Sequence, residues 1–350
     1  MHKEVTAQKN VFVAGSGPLA NDINAKANEL YQQLLSIDAA SLETGNEYKD
    51  YFANHHLGRR LFFSLQNSAH IMYYSVKKTG KPVSDLTFID YGAGLGTLFM
   101  LAGKMGFKKN IYNDYLPEWH QPAKTLCNAV QAKIDSYVPG DIDDVIKHAA
   151  ENKIQYDIIA SRNVIEHIYS LPHFYKSIYK HNAKAIVYST TTANYHNPAM
   201  RFYHRQLHSM GEKNGYWEQR VNEIKKLSPG ASKEQLEKLA SLTRGKGQKD
   251  FADAVNDFFA GKEIAIDKTL RTNTCDCITG VWNEHLLTKK EHEEIITAAG
   301  FKMEYAPGYW DTHYKSTAIN IAAKIFNKII LLLGSRGIIL SPFVNITAYN

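Results

Sequence analysis

Cysteine is scarce in this chain: three in 350 residues, an odd number, two of them close together as Cys275-Asp276-Cys277. That excludes a disulfide framework, and with no second pair to complete a thiolate set no zinc site is expected. The first residues, Met1-His2-Lys3-Glu4-Val5-Thr6-Ala7-Gln8, lack the apolar stretch of a secretory leader, so a cytoplasmic location is expected. Dense Lys/Arg runs and interleaved basic and aromatic stripes are missing too. A formal charge of +6 is spread over the whole length, so nucleic acid is not an expected partner. The mild excess suits an acidic acceptor such as a phosphorylated sugar, and also a neutral one. Repeats and low-complexity tracts are absent. No apolar run reaches the roughly 20 residues that span a bilayer. In the stretch 318–333 the residues Asn320, Lys324, Asn327 and Lys328 fall at helical spacing on one narrow stripe, opposite a broad apolar face. Such a helix packs on the protein's own core or on a second copy in a homodimer, or lies as a peripheral contact in a membrane interface.

What is present is enough apolar residue, 44%, to bury a substantial core. The first 82 residues read as a helical N-terminal cap, with apolar residues three and four apart over 25–35 and 51–76, closing on Thr79-Gly80-Lys81-Pro82. Strands and helices then alternate. Strands are expected at 86–90, 110–114, around 137–138, at 156–161 and at 185–190, with helices between them, which predicts a parallel sheet covered on both faces. The alternation halts over 194–281, a charged, helix-prone stretch that reads as a helical lid inserted for the acceptor. It resumes with a capping box at Thr288-Lys289-Lys290-Glu291, a strand from Phe301 and a closing strand at 343–349. The α/β core is thus 83–193 together with 282–350.

Two glycine loops compete for a ligand. Gly15-Ser16-Gly17-Pro18-Leu19-Ala20 follows the apolar Val11-Phe12-Val13 and fits the dinucleotide pattern, but no second strand follows its helix. It reads as a turn with a capped helix start, and a nicotinamide enzyme is the reading it would otherwise support. Asp90-Tyr91-Gly92-Ala93-Gly94-Leu95-Gly96 has its strand before it and its helix after it. Asp114 closes the next strand, where a carboxylate can accept hydrogen bonds from both hydroxyls of a ribose.

On these residues the sequence resembles the class I S-adenosylmethionine-dependent methyltransferases, over 83–193 and 282–350. The resemblance implies a Rossmann-like, doubly wound, mostly parallel seven-stranded sheet with an antiparallel last strand, and S-adenosyl-L-methionine as cofactor. The family's acidic residue and G-x-G-x-G fall on Asp90, Gly92, Gly94 and Gly96, its ribose acid on Asp114, and its adenine-contacting acid on Asp141 with Ile142 beside the ring. Tyr91, Ala93, Tyr115 and Asn163 are carried along as cofactor neighbours. Asp141, followed by Asp143 and Asp144, also reads as a helix N-cap. Tyr156 to Ile168 is similar to the Glu-His form of the fourth motif, found in small-molecule and sugar methyltransferases. One group of relatives holds a divalent metal with a carboxylate three residues before that pair. Asn163 stands there in this chain, and no metal is expected.

Methyl transfer from a sulfonium is an in-line displacement that asks mainly for alignment and exclusion of water. A hydroxyl acceptor also sheds a proton. The candidate bases are Glu166 and His167, past the fourth strand, and His196, His204 and His208 at the opening of the insertion. His204 and His208 share a helix face, but no carboxylate or cysteine completes a metal set. His55, His56, Arg59 and Arg60 are candidates for the cofactor carboxylate or an anionic acceptor. The expectation is O-methylation of a hydroxylated small molecule, a sugar or glycoconjugate. N-methylation of a small molecule and a non-catalytic binding module are the alternatives. No Asn/Asp-Pro-Pro-aromatic signature follows the fourth strand, which speaks against exocyclic base amines.

Overall fold

The computed structural model describes residues 10–56, 59–278, 280 and 285–350. The side chains of His55, His56 and Arg59 lie outside the described residues. In chain order the elements are α1 (Pro18–Ser36), α2 (Asn46–His56), α3 (Arg59–Thr79), β1 (Thr87–Tyr91), α4 (Thr97–Met105), β2 (Lys109–Asp114), α5 (His120–Ala129), β3 (Ser136–Pro139), α6 (Ile142–Glu151), β4 (Ile158–Arg162), α7 (Leu171–His181) and β5 (Ile186–Thr191). The insertion carries α8 (Pro198–Gly211), α9 (Trp217–Leu227), α10 (Lys233–Leu242) and α11 (Phe251–Phe259). The chain closes with α12 (Lys289–Ala298), β6 (Lys302–Pro307), α13 (Thr317–Leu333) and β7 (Val344–Tyr349).

Seven strands form one sheet in the order β3-β2-β1-β4-β5-β7-β6. The first five are parallel, and β7 runs antiparallel between β5 and β6. This is the Rossmann-like doubly wound fold. Successive side chains point to opposite faces, so Phe88 and Ala160 join a core with α1, α3 and α4, while Ile89 and Ile159 join a second core with α6, α7 and α12. Residues 10–82 supply the outer helices of the first of these cores. The insertion has an apolar core of its own, built from Ile224, Leu239, Phe251 and Val255.

The apolar segment before Gly15 is not a strand. Asn24 Oδ1 accepts from the Phe12 and Val13 amides, α1 starts at Pro18, and a short 3-10 turn at Ala39–Ser41 takes the place of a second strand. Thr288 and Glu291 form the expected capping box of α12. α13 does not pack on the core. Of its residues only Ala323 and Ile330 are buried.

Candidate functional site

Parallel strands present their carboxyl ends along one edge, and the order of the sheet reverses between β1 and β4. A crevice opens at such a point. Here it is a cavity of about 550 Å³. Its floor is Asp90 with the loop Gly92–Gly96, and the β4 end contributes Arg162, Asn163 and Val164. Gly92 and Gly94 have φ of +68° and +49°, a region where L side chains are strained. A Cβ on Gly92 would lie 2.5 Å from Val164 Cγ1, whereas one on Gly94 would meet nothing nearer than Asp114 Oδ2 at 3.9 Å.

Asp90 is 2% exposed, and its Oδ2 has no hydrogen-bond partner. Burial pushes its carboxyl well above the usual carboxylate range, and the neighbouring Arg162 guanidinium opposes that shift. Arg162 is held by α3: its Nη1 donates to Ser64 O at 3.2 Å and to Ser64 Oγ at 2.5 Å. Ser64 and Ser68 both hydrogen-bond Thr97 Oγ1, at 2.9 and 2.8 Å, clipping α3 to the start of α4. Asp90, with one carboxylate oxygen lacking a donor, and the Arg162 cation therefore line the same cavity. Asp114, at the end of β2, fixes the loop from behind. Its Oδ2 accepts from the Gly94 amide at 2.8 Å and its Oδ1 from the Leu116 amide at 3.0 Å. Burial raises its carboxyl against the pull of those two amides.

A family model described as a methyltransferase domain matches residues 54–240, more than half of the chain. The chain belongs to this methyltransferase family. It is an enzyme with S-adenosyl-L-methionine as cofactor. No curated protein matches it. Among solved structures, it is similar to a SAM-dependent methyltransferase from Archaeoglobus fulgidus at 12% identity, covering 87% of this chain and 100% of that one with a TM-score of 0.41. It is also similar to an S-adenosylmethionine-dependent methyltransferase from Mesorhizobium loti at 14% identity, covering 80% and 98% with a TM-score of 0.39.

The residues at the cavity of this methyltransferase fit such a cofactor. Its amino-acid end carries an ammonium and a carboxylate. Asp90 Oδ2 lacks a donor, which the first would supply, and Arg162 is a cation suited to the second. The positive-φ glycines leave the main chain bare for close approach. When bound, the cofactor supplies an electrophilic methyl on sulfonium.

The cofactor residues expected from sequence sort into four groups. Asp90, Gly92, Ala93, Gly94, Gly96 and Asn163 line the cavity. Asn163 takes φ +55°, tolerable for an amide side chain, and its amide donates to Thr190 O. Asp114 stands immediately behind the loop. Asp141 caps α6 in a capping box with Asp144, and neither it nor the buried Ile142 lines the cavity. The others need correction. Tyr91 points to the opposite face of the sheet, its ring 5.1 Å from that of Phe174, because it follows Asp90 by one residue in a strand. Tyr115 is 64% exposed beyond the strand end.

None of the five candidate bases lines the cavity. Glu166 is buried: its Oε1 accepts from the Thr192 amide at 3.4 Å and its carbonyl from the His285 amide, tying the β4 loop to β5 and α12. His167 is exposed on the 3-10 turn Ile165–His167. His196 Nε2 accepts from the Lys289 amide at 2.9 Å, so it acts as a cap for α12. Burial, with Lys289 and Arg201 nearby, keeps it neutral to lower pH than an ordinary histidine. His204 donates from Nε2 to Thr192 O at 2.7 Å, and His208 is buried one turn further along α8. His196 and His204 thus tie the insertion to the core. Among the described residues no cluster of His, Cys, Asp or Glu could hold a metal.

Composition did not mark Arg162, Ser64, Asp311 or Tyr314, all of which line the cavity. Arg162 was discoverable as a charge ending an otherwise apolar strand. Ser64 and Asp311 come from helices and loops distant in sequence, which only the fold brings together.

Proposed function

We propose that the methyltransferase acts on a hydroxyl group of a small polar acceptor, a sugar or glycoconjugate, with Asp311 taking the proton. The observation that carries this reading is the polar wall of the cavity beyond the glycine loop. It is built from Tyr51, Arg60 and Asn67 of α2 and α3 and from Asp311 and Tyr314 of the segment after β6. Asp311 is 8% exposed, and its Oδ1 accepts from the His313 amide at 2.8 Å and lies 3.2 Å from His313 Nδ1. His313 packs on Phe62 and is fixed by it, with ring centroids 3.8 Å apart. A carboxylate so held can accept a proton from an aligned hydroxyl. Arg60, at the same wall, supports a phosphorylated sugar as an acceptor class. No described residue of 194–281 lines the cavity, so the acceptor wall of this reading comes from α2, α3 and the segment after β6. Three free, buried cysteines support a cytoplasmic location.

The test is a screen of hydroxylated and phosphorylated sugars with methyl-labelled cofactor, followed by NMR of the product. The reading expects an O-methyl product. It also expects Asp311→Asn to lower kcat by about 10²-fold or more while cofactor binding stays unchanged. A methyl group on nitrogen, or full activity in Asp311→Asn, would overturn it.

A further inference from the structure

α13 is built the wrong way round for a helix of a water-soluble domain. At about 100° per residue, Asn320, Ala323, Asn327 and Ile330 form one stripe, and that stripe faces the protein. Its two amides are used as clamps. Asn320 exchanges hydrogen bonds with both main-chain groups of Tyr314, at 2.7 and 2.8 Å, and Asn327 does the same with Trp310, at 2.7 and 2.9 Å. The opposite arc is apolar and bare: Ile321 55%, Ile325 53% and Leu332 87% exposed, while Leu331, 79% exposed, flanks the stripe in the last turn. The next turn is pinned as firmly, since Asn194 and Asn197 donate to Ser341 O and Asn194 also to Ile338 O. The exposed arc is therefore a mounted surface. A contiguous apolar face of this kind marks an interaction site.

Charge says which partner fits. From Thr312 to Asn350 there is no Asp or Glu, and Lys315, Lys324, Lys328 and Arg336 are all exposed. Lys324 and Lys328 lie on the border between the protein-facing stripe and the apolar arc, from which their long side chains can carry the ammonium groups out to a polar boundary. Unlike the expectation from its polar stripe, the helical stretch Thr317–Ile339 is long and apolar enough to cross a membrane, with 11% of its most apolar 18-residue window buried. Topology decides against crossing. β6 enters α13 and β7 leaves it, and these two strands pair antiparallel from Lys302↔Tyr349 to Pro307↔Val344, so both ends of the helix belong to one side.

We propose that α13 lies in the plane of an anionic lipid bilayer, with its Ile/Leu arc among the acyl chains and its lysines at the headgroups. This docking does not depend on the acceptor proposed above.

Vesicle flotation of the full chain tests it, with liposomes of phosphatidylcholine alone or mixed with phosphatidylglycerol. The protein floats with the mixed vesicles, is released by salt, and stays behind with phosphatidylcholine alone. The double variant Ile325→Ser, Leu332→Ser partitions at least about tenfold less. Its circular dichroism and cofactor binding match the parent, which shows that the helix face and not the fold was lost. Lys324→Glu with Lys328→Glu also weakens binding to the mixed vesicles. Equal flotation with both vesicles, or with neither, overturns the proposal. So does a dimeric mass by light scattering that collapses to a monomer in the Ile325→Ser, Leu332→Ser variant, which would name a second copy as the cover.

Discussion

Asp90 combines two properties that rarely coexist without a ligand: near-complete burial and a carboxylate oxygen without a donor. Burial holds its carboxyl neutral to higher pH than an ordinary aspartate. A cofactor ammonium needs the ionised form. Cofactor affinity should therefore fall on acidification, and the fall should begin at a higher pH than for an exposed carboxylate. The same shift has a sign for stability. A carboxyl whose folded pKa is raised favours the fold at low pH, and that contribution is lost as pH rises through the raised value. The ligand-free protein is thus penalised at higher pH, and the bound cofactor offsets the penalty. The thermal shift produced by S-adenosylhomocysteine should be larger at alkaline than at acidic pH, and Asp90→Asn should flatten that dependence. A shift independent of pH in the parent would contradict this account of Asp90.

At the scale of elements, the insertion is held by an ion pair that hydropathy patterns cannot reveal. Arg220 is fully buried in α9. Its Nη2 donates to Glu212 Oε2 at 2.6 Å and its Nη1 to Oε1 at 3.1 Å, across the irregular turn Glu212–Tyr216. Arg220→Ala takes the guanidinium from Glu212, which keeps the Thr274 hydroxyl, and from the Ala240 carbonyl, and should cost about 3 kcal/mol. Replacing Glu212 and Arg220 together by methionine should recover most of it, as read from denaturant midpoints.

The alternation of strands and helices, the glycine loop and the capping box of α12 were legible because each is a local pattern. The five strands before the insertion came within about two residues, whereas 51–76, read as one helical stretch, is two helices, α2 and α3. The histidine bases were misplaced for a physical reason: His196 and His204 are neutral rings satisfied by main-chain groups, and sequence spacing does not distinguish those from rings facing a cavity. Arg162 and Asp311 join one site from β4 and from the loop after β6, a juxtaposition created only by the sheet order. For α13 the pattern showed amphipathicity correctly but not which side is covered. Asn320 and Asn327 turn inward because they clamp Tyr314 and Trp310.

At the scale of the molecule, these features share one edge. The segments flanking α13 supply Asp311, Tyr314 and Phe343 to the cavity wall, while Asp90, the glycine loop and Arg162 supply its floor. A bilayer under α13 would place that wall close to the lipid surface, which suits an acceptor carried on a lipid as well as a free one. All of this depends on the cavity holding the cofactor. Calorimetric titration with S-adenosylhomocysteine tests that directly. The account predicts saturable binding at one site, weakened at least about tenfold in Asp90→Asn by loss of a charge-assisted hydrogen bond. Absence of binding to the folded parent, or an unchanged affinity in Asp90→Asn, would contradict it.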